Sequence, residues 1–130
     1  MVLDSSAILA IAFQEPEARR MAGAISHAPR RLMSAVNWLE TLIVAESRHG
    51  AESADATLLL MRDLDIEAVP FDLEQMYEAR AAWQRFGKGQ HPAALNLGDC
   101  CAYAAAITSG EPLLYKGEYF QKTDVDQAPW

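Results

Sequence analysis

Four acidic positions in this chain sit where a charge needs explaining: Asp4, Glu40, Asp99 and either Asp124 or Glu118. In MVLDSSAILA a short apolar run ends on Asp4, with Ser5 and Ser6 behind it. Glu40 has Val36, Ile43 and Val44 as its helical neighbours three and four residues away. It therefore lies along or beside an apolar face, where a lone carboxylate loses hydration unless it is paired or coordinated. Asp99 opens GDCCAYAAAITSG, a helix with no other charge. Glu118 and Asp124 follow the apolar run PLLY. Each has an ordinary explanation alone. Asp4 can cap a helix, although Ser5 and Ser6 can do so too, and Glu40 can reach solvent at the edge of its face. Asp99 suits the positive end of a helix dipole. Glu46, further along the Glu40 helix, reads as solvated or salt-bridged.

Gathered in one pocket, these acids repel one another. Two carboxylates about 4 Å apart cost about 1 kcal/mol in water and about 4 kcal/mol at an effective dielectric near 20. A domain stable by only about 5–15 kcal/mol needs protons or cations to relieve such a cluster. Hard oxygen donors without clustered His or Cys suit Mg2+ or Mn2+.

The elements that would gather them alternate short apolar strands with longer helices. Strands are expected at residues 1–4, Arg31–Ser34, Ile66–Val69 and Pro112–Tyr115. Helices are expected over Ala7–Phe13 (capped by Ser5 or Ser6), Glu15–His27, Ala35–His49 (closed by Gly50) and Glu52–Asp63. Two more are expected over Leu73–Phe86, capped by Asp72, and Asp99–Ser109, ended by Gly110. GKGQHPAALN is a loop, and Val125–Trp130 a tail that can add an edge strand. The fold class is α/β, a central mostly parallel sheet flanked by helices. In open sheets of this kind, sites lie beyond the carboxyl ends of the strands. Asp4 and the 118–124 segment follow strands, Asp99 begins a helix at that same edge, and the Glu40 helix can pass over it.

The 130 residues suit one domain, residues 1–130. A net charge of −7 argues against non-specific, whole-surface nucleic-acid binding and leaves room for a local basic rim. No apolar run is long enough to span a bilayer and no signal peptide is visible, so the cytoplasm is the expected location. Adjacent Cys100 and Cys101 point in different directions on a helix and read as buried small side chains, consistent with a reducing compartment. Two other acidic α/β classes fit poorly. A dehalogenase-type phosphatase wants an acid where Ser6 stands, and a phosphoacceptor receiver wants a paired acid near the first strand.

The segments MVLDSSAILA, SAVNWLETLIVAESRHG, GKGQHPAALNLGDCCAYAAA and PLLYKGEYFQKTDV resemble the VapC-type PIN-domain family, the ribonuclease toxins of type II toxin–antitoxin modules. The resemblance spans essentially the whole chain. LNLGDCCAYA with LLYKGEYFQKTDV is its specific part, and DSSA alone is weak. It implies a PIN-like fold, Mg2+- or Mn2+-dependent cleavage of RNA, a homodimer, and inhibition by a cognate VapB-like antitoxin. By position, Asp4, Glu40 and Asp99 match the family's three best-defined acids.

Asp4 and Asp99 are then expected as direct metal ligands, with Glu40 orienting a metal-bound water or completing a second site. Many PIN proteins carry an aspartate after the strand matching PLLY, where this chain reads Lys116-Gly117-Glu118-Tyr119. Asp124, in TDV, is favoured as the fourth acid, and Glu118 is the alternative. Ser6 can donate to an acid or a phosphate. Lys88, His91 and Lys116 are candidate phosphate contacts at the mouth, and no base role falls to His91, because a metal route needs none. Trp38 and Trp83 are read as packing groups. An acidic pocket attracts an inserted arginine, the chemistry by which an antitoxin tail could close the site. Apolar faces of Glu15–His27 and Ala35–His49 can form its groove or belong to the core. The competing reading is a PIN fold that binds a protein or RNA without cutting.

Overall fold

The computed structural model describes residues 1–130. Four short strands, β1 (Val2–Leu3), β2 (Leu32–Ser34), β3 (Glu67–Val69) and β4 (Leu113–Leu114), form one sheet in the order β3-β2-β1-β4. Every pairing is parallel: Val2 faces Leu32 on one side and Leu113 on the other, and Leu32 faces Glu67. The helices are α1 (Ser5–Ala12), α2 (Ala18–His27), α3 (Ala35–His49), α4 (Ala51–Asp63), α5 (Leu73–Phe86) and α6 (Leu97–Ser109). A 3-10 turn covers Phe120–Lys122.

The two-residue period of a strand explains the layers. Val2, Leu32 and Leu113 point into one core, with Phe86, Leu95 and the small residues of α6. Leu3, Met33 and Leu114 point into the other, with Ile8, Met21, Ile25 and Met61. A sheet covered on both faces needs apolar residues at every strand position, and β1 and β4 are wholly buried. Cys100 to Ala106 are all buried, which is why α6 tolerates only small or apolar side chains there.

Helix starts differ from expectation at four places, α4 by a single residue (Ala51 rather than Glu52). Asp4, not a serine, caps α1: its side chain accepts the Ser6 N–H, and both serines lie inside the helix. The α2 helix begins at Ala18 rather than Glu15, because Gln14 takes a left-handed conformation (φ 53°) and Glu15 and Pro16 stay in the turn. The α6 helix begins at Leu97, capped by Asn96. Asp72 caps α5 as expected, accepting the Gln75 N–H at 3.0 Å. Gly50, at φ 86°, separates α3 from α4. The tail forms a bridge between Gln127 and Leu113 rather than a strand. Leu113 N–H donates to Asp126 O and Ala128 N–H to Leu113 O, which covers the β4 edge. No helix is long and apolar enough to cross a membrane.

Candidate active site

The end of β1, the N-terminus of α6 and the first turns of α3 meet at the carboxyl edge of the sheet. Asp4 is buried there, being at once the last residue of the strand run and the cap of α1. Its Oδ2 accepts from Ser6 N–H (2.9 Å) and Ser6 Oγ–H (2.5 Å). Glu40 reaches in from α3, its Oε2 accepting from Ser5 Oγ–H (2.5 Å) and Asn37 Nδ2–H (3.2 Å). Asp99 is the third residue of α6 in a reciprocal cap. Its Oδ2 accepts Asn96 N–H and its own N–H donates to Asn96 Oδ1, each at 2.9 Å. Each carboxylate thus has one oxygen fixed by its own scaffold. Neither Glu40 Oε1 nor Asp99 Oδ1 receives a protein hydrogen bond.

The electrostatics follow from burial and crowding. Asp99 is pushed up to about 6, first by desolvation and then by the charges of Asp4 and Glu40, against the Asn96 N–H. Burial raises Asp4 most, its bonds to Ser6 oppose the rise, and Glu40 adds to it. The ion pairs of the molecule involve Glu111, Asp124, Glu15 and Glu17 on the acidic side. Asp4, Glu40 and Asp99 have no basic partner. The carboxylate oxygens left free here are hard donors, of the kind that suits Mg2+ or Mn2+. No three His, Cys, Asp or Glu side chains are drawn together closely enough to hold a metal ion.

Neither candidate fourth acid shares a hydrogen bond with the other three. Asp124 is exposed and bound elsewhere: Arg85 Nη2 donates to Oδ2 (2.5 Å) and Tyr103 Oη to Oδ1 (2.7 Å). The Tyr103 bond, and after it Arg85, hold its pKa below the usual carboxylate range. Glu118 is exposed in the turn after β4. Ser6 belongs to the site, linking Asp4 to the end of β4 by accepting Lys116 N–H at 3.0 Å. The Lys116 ammonium is engaged by Glu15 and, at 3.1 Å, by Glu17.

Lys88 is exposed on the wall of a groove of about 450 Å³ with Arg80, Trp83, Leu95, Leu97 and Cys100. His91 Nδ1 accepts Ala93 N–H and its ring packs edge-on against Phe86, a loop-closing role. Trp38 packs against the core as expected. Trp83 does not: it is 48 % exposed and lines the groove. Both thiols are free and buried, pushed up to about 12 for Cys100 and about 11 for Cys101. The apolar face of α2 is spent in the core through Met21 and Ile25. On α3, Leu39 and Ile43 remain exposed beside Glu40 and Leu97, in a second groove of about 330 Å³.

Sequence reasoning missed Ser5, Asn37, Asn96 and Gly98. Two had a signal. Asn37 precedes Glu40 by three residues, the spacing of one helix face, and N-x-x-D at 96–99 has capping-box spacing. Gly98 had none, because its part depends on where Glu40 comes to rest.

The model of the PIN-domain family matches residues 1–126. The chain belongs to the PIN-domain family. Among curated relatives, "Ribonuclease VapC" of Mycolicibacterium smegmatis is 46% identical over 125 residues, covering 96% of this chain and 97% of that one. Of solved structures, VapC20 of Mycobacterium tuberculosis, described as a sarcin–ricin loop cleaving toxin, superposes with a TM-score of 0.78 at 15% identity, covering 95% of each chain. A toxin–antitoxin complex from Klebsiella pneumoniae gives 0.72 at 16% identity, covering 99% of this chain and 97% of that one. At such identities the structural likeness is one of fold. The curated relative places this PIN domain in the VapC group.

Proposed function

We propose that this PIN domain, over residues 1–130, is the toxin of a VapBC-type toxin–antitoxin module. It is an endoribonuclease that hydrolyses RNA phosphodiester bonds with Mg2+ or Mn2+. The observation that carries the reading is the set of three carboxylates without a basic partner, Asp4, Glu40 and Asp99, at one edge of the sheet, where burial first and then the charges of Asp4 and Glu40 push Asp99 up to about 6. The relatives named ribonuclease VapC support the choice of RNA.

Asp4 and Asp99 would hold the ion, which when bound supplies positive charge to the transferring phosphoryl group and lowers the pKa of a water. Glu40 offers Oε1 to orient that water. Ser6 fixes the rotamer of Asp4, and the Asn96 backbone N–H that of Asp99. Asp124 acts from outside this group, through Tyr103 and Arg85, and Glu118 has no part in it. Lys88 and Arg80, on the groove beside α6, are the basic side chains placed to meet RNA phosphates. Lys116 contributes through its backbone N–H. The exposed Leu39, Ile43 and Leu97 beside Glu40 suit an apolar segment of an antitoxin, whose arginine could then enter the acidic site. Homodimerisation and a cytoplasmic setting complete the reading.

The test uses purified protein free of antitoxin, incubated with RNA in Mg2+, in Mn2+ and in EDTA. Cleavage should require the ion. Asp4→Asn and Asp99→Asn should each lower it about a hundredfold or more, the scale expected when several kcal/mol of charge stabilisation is lost. Metal-dependent cleavage unchanged in both variants would remove these residues from the chemistry. No cleavage by the wild type in either ion would leave an inert binding domain.

A further inference from the structure

We infer that Asn37 is a positioning residue for Glu40, fixing which carboxylate oxygen faces the site; the inference rests on Glu40 acting there as proposed above. Asn37 is fully buried, one turn before Glu40 on α3. Its Nδ2 lies 3.2 Å from Glu40 Oε2, 3.0 Å from Gly98 O and 3.4 Å from Ser5 Oγ. Its backbone carbonyl accepts from Thr41 Oγ–H at 2.7 Å, and Ser5 Oγ, whose proton goes to Glu40 at the shorter distance, lies 3.2 Å away. One side chain thereby ties α3 to the starts of both α1 and α6, the elements that carry Asp4 and Asp99.

Packing alone does not explain an amide at this position. Asn37 Oδ1 is buried without a hydrogen-bond partner, a cost that an apolar residue of the same size would avoid. What the amide offers is two N–H donors, directed at Glu40 and at the Gly98 carbonyl. With Ser5 it holds Oε2 from two helices and leaves Oε1 unbound. A Cβ on Gly98 would lie 2.5 Å from Oε1 and 2.6 Å from Oε2, so the carboxylate rests directly on the α6 backbone. Ser5, Asn37 and Gly98 together form a cradle that holds Glu40 in the observed placement.

A purely structural tie between α3 and α6 would act with or without Glu40. A positioning role disappears when Glu40 is absent. Asn37→Ala is therefore compared in the wild-type and Glu40→Ala backgrounds. Mn2+ affinity is read by calorimetry, kcat and KM by cleavage of an RNA oligonucleotide, and thermal melting in EDTA. With Glu40 present, Asn37→Ala should weaken Mn2+ binding and lower kcat about tenfold each, with KM little changed. With Glu40→Ala, it should change Mn2+ affinity less than about twofold, while still lowering the melting temperature. If the cavity unfolds the chain, Asn37→Leu keeps the branched heavy-atom shape, drops the donors and should give the same pattern. Equal losses in both backgrounds, or none in the wild type, would overturn the inference. Should Glu40→Ala itself leave affinity and cleavage intact, the site reading fails and this inference falls with it.

Discussion

Glu40 occupies the space that a side chain at residue 98 would need. Gly98→Ala puts a methyl group against a flexible carboxylate rather than against backbone. The carboxylate should swing away at little cost to folding. Cleavage is expected to fall about tenfold or more while stability changes by less than about 1 kcal/mol, checked by turnover and denaturant melts on one preparation. Asp124 should behave differently. Its pair with Arg85 is half exposed on both sides, a setting in which ion pairs contribute about 0–1 kcal/mol. Asp124→Asn is expected to cost far less cleavage than Asp99→Asn, and equal losses would return Asp124 to the reacting group. At this scale the three acids were readable because each broke a local pattern. The residues that grip them were not, since Ser5, Asn37 and Asn96 are ordinary helix-start residues until their distant partners are known. The surroundings of the favoured fourth acid, Asp124, were hidden for a related reason. Nothing in TDV reveals that Arg85, thirty-nine residues earlier, takes up its charge.

The α6 helix does two jobs, filling one core with small side chains and presenting Asp99 at its first turn. Its reciprocal cap joins them. Asn96→Ala should lower stability by about 1 kcal/mol and the melting temperature by a few degrees. It should also loosen the first turn and lower cleavage, because Asp99 N–H loses its acceptor. A loss of stability with full cleavage would mean that Asp99 is placed by tertiary packing alone. Elements were legible in type and order, because β1 and β4 lie in short apolar runs and several helices carry caps. Boundaries were less so. The α1 helix starts on Ser5 because Asp4 serves two purposes, and the α6 helix starts two residues before Asp99 because its signal is Asn96. The tail offered no alternation to read, and its one bridge with β4 depends on Leu113 alone.

The whole molecule holds repelling acids apart from any cation of its own, and this should appear as a pH dependence. Asp99 titrates near 6 in the folded chain against an ordinary value of 3.8, and Asp4 moves in the same direction. The folded state therefore holds more protons than the unfolded state in that interval. The resulting stability is present below the unfolded value and is lost as pH rises through about 6. Glu17, Glu111 and Asp124 shift the other way, so their contribution is lost only as pH falls through values below the ordinary 4.5 and 3.8, outside this interval. In EDTA, the melting temperature should drop between about pH 5 and pH 7, and Asp99→Asn should flatten the drop. Added Mn2+ should restore stability more at the higher pH. A melting temperature that climbs over this interval would contradict the crowding.

The Lys116 ammonium is held by Glu15 and Glu17, turned away from the mouth it borders. RNA arriving on a strongly anionic protein is left with Lys88 and Arg80 as its basic contacts and releases few condensed ions from its backbone. Its encounter should consequently be slowest at low salt, where like charges repel, and its affinity should fall only shallowly with ionic strength.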